Sequence, residues 1–261
     1  MIIIRNENTA ELVGLSFGDG GLTYRSNSKR VKFQLRGNLL EDKEHYDSYI
    51  IPLFNREIML PIFSREVGRV FNKKMNFYGL SVESVNIEKP LNFLGIPSGI
   101  KKELSIPKWI KNNNKYLIRF LRGFFDTDGS ISCQRNYSIK NNKYHTQIRI
   151  YLSCTSKKLI EEIYLSLKSL NFKCLISERK PSNTNNKSSY TVKISGGIQV
   201  KKWMQEIGSK NPKHLTKYNI WEKTGFCPPN TSITIRKRIL KNELSPYSIY
   251  AGVLEWSNRQ D

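Results

Sequence analysis

The sequence predicts an α+β fold in which one structural unit occurs twice along the chain. A nine-residue segment recurs 109 residues later, which indicates an internal repeat. Both halves also contain an alternation of apolar and polar residues, typical of strands, followed by a pattern typical of a helix. Each half is therefore predicted to run helix, hairpin, helix, hairpin, helix.

The repeated segment is LVGLSFGDG at residues 12–20 and LRGFFDTDG at residues 121–129. A second pair of matches follows at an offset of 115 residues, in which a lysine comes five residues after a proline. These matches are Pro97 with Lys102 and Pro212 with Lys217. Because both pairs occur in the same order at nearly the same offset, we predict a tandem duplication.

The repeat gives the expected domain boundaries. The first half is predicted over residues 1–110, the second over 111–225, and a basic C-terminal extension over 226–261. Between the halves, the stretch from Lys108 to Lys115 is polar and lacks apolar periodicity, so we expect a linker there.

Strands in each half are predicted to have one apolar and one basic, polar face. Val31, Phe33 and Leu35 alternate with Lys32, Gln34 and Arg36, and Ile148, Ile150 and Leu152 alternate with Arg149, Tyr151 and Ser153. A further strand is expected over Tyr190–Ser195. Helices over Glu41–Phe54 and Lys157–Leu170 would cover the apolar faces.

Composition favours a polyanionic partner. The formal net charge is +21 and the pI is about 9.8, so nucleic acid is the leading candidate. With 38% hydrophobic residues, the chain has enough apolar surface for a core, so a disordered chain is not expected. No apolar run has the length of a membrane-spanning helix, and Met1–Arg5 is too short for a signal peptide. We expect an intracellular protein, in a prokaryotic cytoplasm or an organelle.

The cysteines and histidines exclude several site types. The four cysteines form no C-x-x-C pair, which argues against a zinc site or a disulfide framework. The three histidines form no H-x-x-x-H pair and no pairing with cysteine, as a transition-metal site or a thiol protease would need. An enzyme with this sequence would work with carboxylates and lysines.

The repeated segments predict two helices that pack against each other. Gly14 and Gly18, and at matching positions Gly123 and Thr127, are small residues four apart on one helical face. Such a face lets another helix approach closely. Gly20 and Gly129 follow the two acids and are typical of helix C-termini.

Asp19 and Asp128 have no role in that packing. Each lies at the C-terminal end of its helix, where the helix dipole disfavours a carboxylate. Two equivalent helices side by side would bring the acids together, and a divalent cation between them would relieve the repulsion. Oxygen ligands and the lack of suitable histidine or cysteine point to Mg²⁺. Asp126 is not expected to take part, because Phe17 is its counterpart.

Both segments resemble the two motifs of the LAGLIDADG homing endonuclease family in its monomeric, two-motif form. The second copy matches closely, and the first departs at Ser16, Phe17 and Gly18, of which Phe17 is expected to be a packing residue. The resemblance covers about residues 10–225. It implies αββαββα halves about a pseudo-twofold axis, with saddle-shaped antiparallel sheets over DNA. It also implies metal-dependent cleavage of both DNA strands at a specific site.

This resemblance also implies site residues. Asp19 and Asp128 would be the catalytic, metal-binding acids, with the carbonyl groups of Gly18 and Thr127 as further metal ligands. Lys102 and Lys217 would lie near the scissile phosphates, with Lys101 and Lys213 as the nearest alternatives. A polar residue that positions water would fall near Gly37 and Asn38 and near Ser153. We expect Mg²⁺ as cofactor, with Mn²⁺ substituting and Ca²⁺ binding without supporting cleavage.

The expected partner is double-stranded DNA with a long pseudo-palindromic or asymmetric target, bound by a monomer in a salt-dependent way. Side chains on the strands would read the target. They are Arg25, Lys32, Gln34, Arg36, Gln134, Arg149, Tyr151, Ser153 and Lys193.

Three alternatives accompany this prediction. The first is an intein, which would begin with a nucleophile and end with Asn. This sequence begins with Met1 and ends with Gln260 and Asp261, so we expect a free-standing or intron-encoded protein that takes part in intron homing. The chain could also be an RNA maturase for its host intron, using the basic segment Arg236–Arg238. The third alternative is a DNA-binding protein without catalysis on the same scaffold.

Overall fold

A computed structural model describes residues 3–24, 30–99, 103–135, 144–180 and 188–249 of the protein. Three of the residues singled out above, Arg25, Lys101 and Lys102, lie outside the described residues.

The first half has the predicted order of elements. Its first helix is capped by Asn6, whose side chain accepts a hydrogen bond from the Thr9 backbone N–H. The elements outside the sheet-covering helix are α1 (Glu7–Gly18), β1 (Gly20–Tyr24), β2 (Val31–Asn38), β3 (Arg69–Asn72), β4 (Phe77–Ser84) and α5 (Glu88–Leu94).

The helix that covers the first sheet is longer than the predicted Glu41–Phe54. Three α-helical segments, α2 (Lys43–His45), α3 (Ile51–Phe54) and α4 (Leu60–Phe63), alternate with π-helical turns at Tyr46–Ile50 and Asn55–Met59. Pro52 and Pro61 lie at the starts of α3 and α4. Proline cannot donate a helical hydrogen bond, and the wider turn before each proline accommodates its ring, so the helix continues past both.

The second half repeats this arrangement. Its elements are α6 (Lys108–Lys111), α7 (Asn114–Asp128), β5 (Gly129–Gln134), β6 (Gln147–Cys154), α8 (Lys157–Ser169), β7 (Cys174–Arg179), β8 (Ser189–Ser195) and α9 (Gly197–Glu206). Two further helices, α10 (Pro212–Thr224) and α11 (Ile233–Leu240), follow.

The prediction of a polar linker at Lys108–Lys115 was wrong in one respect. Helix α6 lies there, with Ile110 fully buried and the Trp109 indole donating a hydrogen bond to the Leu94 carbonyl at 3.0 Å. A single buried isoleucine in one helical turn produces no periodic signal, so the sequence pattern could not reveal this contact.

Both halves form a four-stranded antiparallel sheet with the same topology. The strand orders are β1-β2-β4-β3 and β5-β6-β8-β7. Gly20 pairs with Leu35 in the first sheet, and Gly129 pairs with Leu152 in the second. Counted from these pairs, Lys32 is equivalent to Arg149, Gln34 to Tyr151 and Arg36 to Ser153. The two sheets therefore share their strand order and the register of their first hairpin.

The predicted alternation of the strands is confirmed. Val31, Phe33 and Leu35 are buried, while Lys32, Gln34 and Arg36 between them remain partly exposed, and β6 follows the same pattern. Helix α8 covers the second sheet with the predicted apolar face, including Leu159 and Ile163. Among the described residues, no helix is both long enough and apolar enough to cross a membrane.

Helices α1 and α7 join the two halves at their centre. A Cβ atom on Gly14 would lie 2.2 Å from the Phe120 carbonyl oxygen, and one on Gly123 would lie 2.3 Å from the Glu11 carbonyl oxygen. Only glycine permits so close an approach of two helix backbones, as the spacing of small residues predicted. The ring of Phe17 packs edge-on against Phe120 with centroids 5.5 Å apart, so Phe17 is a packing residue as expected.

One buried ion pair also spans the central helices. The Arg122 guanidinium of α7 donates through Nε to the fully buried Glu11 carboxylate of α1 at 2.8 Å, and the Tyr49 hydroxyl donates to the same group at 2.9 Å. These bonds satisfy a carboxylate that would otherwise be costly to bury.

Candidate active site

Both acids of the repeated segments lie where the central helices end. Asp19 is the C-terminal cap of α1 and Asp128 is the last residue of α7. At this end a Cβ atom on Gly18 would lie 2.1 Å from the Thr127 hydroxyl oxygen and 3.2 Å from the carboxyl carbon of Asp128. The last turns of the two helices are therefore in direct contact.

Gly20 and Gly129, which follow these acids, were predicted to be ordinary helix-ending residues. The structure gives a different physical reason for glycine at these two positions. Neither Gly20 nor Gly129 has a positive φ; Gly129 is extended, with φ −90° and ψ 166°. A Cβ atom would lie 2.6 Å from the Ser16 carbonyl oxygen at Gly20, and 2.4 Å from the Phe125 carbonyl oxygen at Gly129. Glycine is needed because each strand starts directly against the last turn of its helix.

The electrostatics of Asp19 show that negative charge is concentrated here. Burial and the negative charges of Asp128 and Asp42 raise the pKa of Asp19 to about 7, although Lys213 and a hydrogen bond from Tyr46 act in the opposite direction. The Tyr46 hydroxyl donates to Asp19 Oδ2 at 3.3 Å. Burial and the two neighbouring carboxylates together therefore favour the protonated form of Asp19.

The sequence analysis missed Asp42 and Tyr46, and it did not explain why Gly37 is a glycine. Asp42 is buried beside Asp19, Tyr46 bonds to Asp19, and Gly37 leaves space for both of their side chains. A Cβ atom on Gly37 would lie 2.8 Å from the Cβ of Asp42 and 2.8 Å from the Tyr46 ring. The signal in the sequence was Gly37 itself. A polar residue that positions water was expected at this place, and a glycine there makes room for side chains from elsewhere in the chain.

The lysines of the second half have different surroundings. Lys213 Nζ lies 3.0 Å from Asp42 Oδ1, and its positive charge acts on Asp19. Lys217 Nζ instead donates to the Ile131 carbonyl at 3.2 Å, and burial lowers its pKa. Lys217 lines a cavity of about 520 Å³ together with Glu41, Cys133 and Cys227. Of these two lysines, Lys213 is the one whose charge acts on Asp19, and it is the alternative named in the sequence analysis.

Asp126 is not one of the paired acids, as the comparison with Phe17 predicted, and its carboxylate makes structural contacts instead. Its carboxylate is fully buried and accepts hydrogen bonds from Ser209 Oγ at 2.5 Å and from the Lys210 backbone N–H at 2.8 Å. Burial raises its pKa to about 7. Asp126 therefore anchors the segment that leads to Lys213 against the last turn of α7.

The basic segment of the C-terminal extension makes internal contacts. Arg236 is fully buried and donates to the Lys213 carbonyl at 2.7 Å, Lys237 pairs with Glu44, and Arg238 lies 3.4 Å from Glu243. Arg236 is therefore not available for the RNA contact that the maturase alternative gives to this segment. An isolated run of basic residues gave no indication that one of them is in the core.

Most of the strand residues expected to read DNA lie on the polar faces of the two sheets. In the second sheet they contact one another: Arg149 donates to Gln134 Oε1 at 2.5 Å, Gln134 donates to the Tyr151 hydroxyl at 3.4 Å, and Ser153 hydrogen-bonds Thr191 at 2.8 Å. Lys193 pairs with Tyr151 across β8 and β6. In the first sheet, Gln34 bonds to Ser81 and the Arg36 guanidinium lies 4.4 Å from the centre of the Phe77 ring.

The donors at the helix ends fit Mg²⁺ better than a transition metal. Among the described residues, no group of three or more His, Cys, Asp or Glu side chains is arranged to hold a metal ion. Asp19 and Asp128 would supply two carboxylates, and the Thr127 hydroxyl is already bonded to the Gly123 and Phe124 carbonyls. One or two carboxylates completed by water and substrate phosphate are the usual protein ligands of Mg²⁺.

Comparison with known families identifies the second half. Residues 115–208 match the family described as LAGLIDADG-like domain. Over this stretch the chain is similar to that family. The matched region contains all but the first residue of α7, including Asp128, and the whole second sheet with α8 and α9. Because the first half repeats the same elements in the same register, the fold consists of two LAGLIDADG-type halves.

A solved structure shares this fold, and a second is similar at a lower TM-score. The LAGLIDADG meganuclease I-AabMI, in a crystal structure with uncleaved DNA, is 12% identical, covers 91% of this chain and 99% of its own, and superimposes with a TM-score of 0.51. The homing endonuclease I-WcaI, bound to its DNA recognition sequence, is 17% identical, with 82% of this chain and 84% of its own covered and a TM-score of 0.49.

One similar curated protein is the replication factor C small subunit of Methanocaldococcus jannaschii. It is 29% identical over 180 residues, which are 67% of this chain. The match covers only 10% of that relative's length.

Proposed function

We propose that this chain is a site-specific DNA endonuclease that hydrolyses phosphodiester bonds in both strands with a divalent metal held by Asp19 and Asp128. The observation that carries the proposal is the contact between the last turns of α1 and α7, which brings Asp19 and Asp128 to one place. The LAGLIDADG-like domain and the shared fold support the same conclusion.

The two sheets support double-stranded DNA as substrate. Equivalent positions of β2 and β6 carry Lys32 and Arg149, and the formal net charge of the chain is +21. Cationic side chains at matched positions of two repeated sheets suit two half-sites of one duplex, bound by a monomer. The proposed target is one long, pseudo-palindromic or asymmetric DNA site.

Each residue has a separate task in the proposed reaction. Asp19 and Asp128 would hold Mg²⁺, with the Gly18 and Thr127 carbonyls as further donors, and the bound ion would supply a Lewis acid for hydrolysis. Tyr46 orients the Asp19 carboxylate through its hydroxyl group. Lys213 places a positive charge where it can stabilise a phosphate oxygen. The resemblance implies the same role for Lys102 in the first half and for Lys217 in the second.

The experiment starts with selection of the target from a random DNA library by the purified protein. The selected site is then placed in a supercoiled plasmid and incubated with Mg²⁺, Mn²⁺, Ca²⁺ or EDTA. We expect linear product with Mg²⁺ and Mn²⁺, binding without cleavage in Ca²⁺, and no product with EDTA. Specific binding without cleavage in any metal would instead identify a DNA-binding protein on the same scaffold. Cleavage in EDTA would contradict the role of the metal.

A further inference from the structure

A buried acid of the first half contacts the lysine segment of the second half. The Asp42 carboxylate lies 3.0 Å from Lys213 Nζ and accepts a hydrogen bond from the Asn211 side chain at 2.9 Å. The same Asn211 amide donates to the Asp126 carbonyl at 2.9 Å, two residues before Asp128. Asp42 is therefore connected both to a lysine and to the helix end that carries the second acid.

The first half has a specific space for this acid. Gly37 of β2 has no side chain, and a Cβ atom there would lie 2.9 Å from Asp42 Oδ2. The backbone N–H of Asn38 donates to the same oxygen at 2.9 Å. The contacts with Lys213, Asn211 and Asn38 therefore fix the orientation of the Asp42 carboxylate.

The corresponding position in the second half carries no charge. Asp42 precedes α2, the start of the helix that covers the first sheet, and Ser156 precedes α8, which covers the second. Ser156 also contacts the opposite half: its Oγ accepts a hydrogen bond from the Leu104 N–H at 3.0 Å. Each half thus holds a segment of the other at the same place, with a carboxylate in one case and a hydroxyl group in the other.

The C-terminal helix supports the same junction from a second side. Arg236 of α11 donates to the Lys213 carbonyl, and Lys237 pairs with Glu44, two residues after Asp42. These contacts fix the backbone of Lys213 relative to the first half. The position of its ammonium group then depends on Asp42, because side-chain torsions are the remaining freedom.

We propose that Asp42 is a positioning residue that holds Lys213 of the opposite half beside Asp19. The counterpart of Asp42 in the second half is the neutral Ser156. Because only one half has this charged contact, the two DNA strands are cleaved at different rates. The inference rests on the proposed endonuclease function. It assigns a role to a residue outside both repeated motifs and predicts a strand preference that a symmetric site would lack.

The test measures single-turnover cleavage of each strand separately, on a duplex with the selected site and a different label on each 5′ end. We expect Asp42→Asn to slow one strand by about 10- to 100-fold, the range for loss of a partner that orients an active-site group, and to leave DNA affinity unchanged. Asp42→Ser, which copies the second half, should reduce the difference between the strands. Asp47→Asn is the matched control, because Asp47 lies on the same helical run and pairs with Lys43 and Arg69 instead.

A double-mutant cycle with Lys213→Met separates positioning from a general structural role. If Asp42 acts through Lys213, Asp42→Asn should have no further effect on either strand in the Lys213→Met background. The proposal would be overturned if Asp42→Asn slowed cleavage in the Lys213→Met background as much as it does in the wild-type protein. Equal slowing of both strands would overturn it as well. If Asp42→Asn does not fold, Asp42→Ser takes its place in the same cycle, with the same expected results. Absence of cleavage by the wild-type protein would instead refute the endonuclease function itself.

Discussion

Gly123 of α7 lies so close to α1 that a Cβ atom on it would be 2.3 Å from the Glu11 carbonyl oxygen and 2.9 Å from the Leu15 nitrogen. Both are backbone atoms, which cannot rotate away. The position of each acid at the helix ends depends on this approach, because α1 and α7 carry Asp19 and Asp128 in their last turns.

Gly123→Ala should therefore destabilise the protein. Alanine gains about 1 kcal/mol from helix propensity, but overpacking costs about 1–3 kcal/mol and more where backbones must separate. We expect a net loss of about 2 kcal/mol in the free energy of unfolding, measured by urea denaturation. Gly21→Ala is the control, since a Cβ atom there would meet nothing within 4 Å. Equal stability of the two variants would argue against close helix packing.

Asp19 should give the metal-free protein a distinctive pH dependence. Its folded-state pKa of about 7 is raised above the ordinary value of 3.8, so the folded protein binds a proton more tightly than the unfolded chain. The free energy of unfolding should therefore fall as pH rises from about 4 to about 7. One pKa unit corresponds to about 1.4 kcal/mol, and water reaches this partly exposed group, so Asp19→Asn should gain on the order of 1–2 kcal/mol at pH 8.

Urea denaturation at pH 5 and pH 8 in EDTA measures this effect. Asp47→Asn is a control of opposite sign, because hydrogen bonds from Lys43, Tyr78 and Arg69 outweigh the effect of burial and lower the Asp47 pKa to about 2. Its ionised form stabilises the fold at pH 8, so Asp47→Asn should lose stability there. A loss of stability for Asp19→Asn at pH 8 would mean that Asp19 is a structural acid.

Equivalent residues of the two sheets should read opposite half-sites. Lys32 and Arg149 occupy matching register positions, so we expect Lys32→Ala and Arg149→Ala to relax sequence preference in different halves of the target. Loss of a base contact costs about 1–3 kcal/mol. Profiling each variant against a library of single-base changes measures this, with Lys157→Ala on the exposed face of α8 as control. Relaxation at the same base positions by both variants would contradict two half-sites.

The two lysines of α10 provide a matched pair for the catalytic step. Lys213 acts on Asp19 whereas Lys217 bonds to the Ile131 carbonyl, so Lys213→Met should lower the cleavage rate by about 10²-fold and Lys217→Met much less. Single-turnover cleavage at saturating protein separates this effect from DNA binding. The reverse order would restore the assignment that the spacing after Pro212 predicts.

Much of the fold could be predicted because periodicity reports burial. The alternation in β2 and β6, the helix α8 and the close pair α1 and α7 all follow from local patterns. The continuation of the helix through Pro52 and Pro61 could not, since a proline normally ends a helical pattern and only the π-helical turns reveal the exception.

The candidate site was predictable only where the repeat marked it. Asp19 and Asp128 are found by comparing two segments of the same chain. Asp42 has no charged counterpart, and its contact with Lys213 joins residues 171 positions apart, so neither spacing nor repetition could indicate it. The burial of Arg236 is similar, because it depends on the packing of α11 against the start of α10.

Cleavage by the Asp128→Asn and Asp19→Asn variants tests the central claim most directly. Each variant is incubated with Mg²⁺ and a supercoiled plasmid carrying the selected site, beside a binding titration in Ca²⁺. If the two acids jointly hold the metal, each variant should fail to cleave at least one strand, so that no linear product forms, while specific binding persists because the sheets make the base contacts. Full double-strand cleavage by Asp128→Asn would contradict the account.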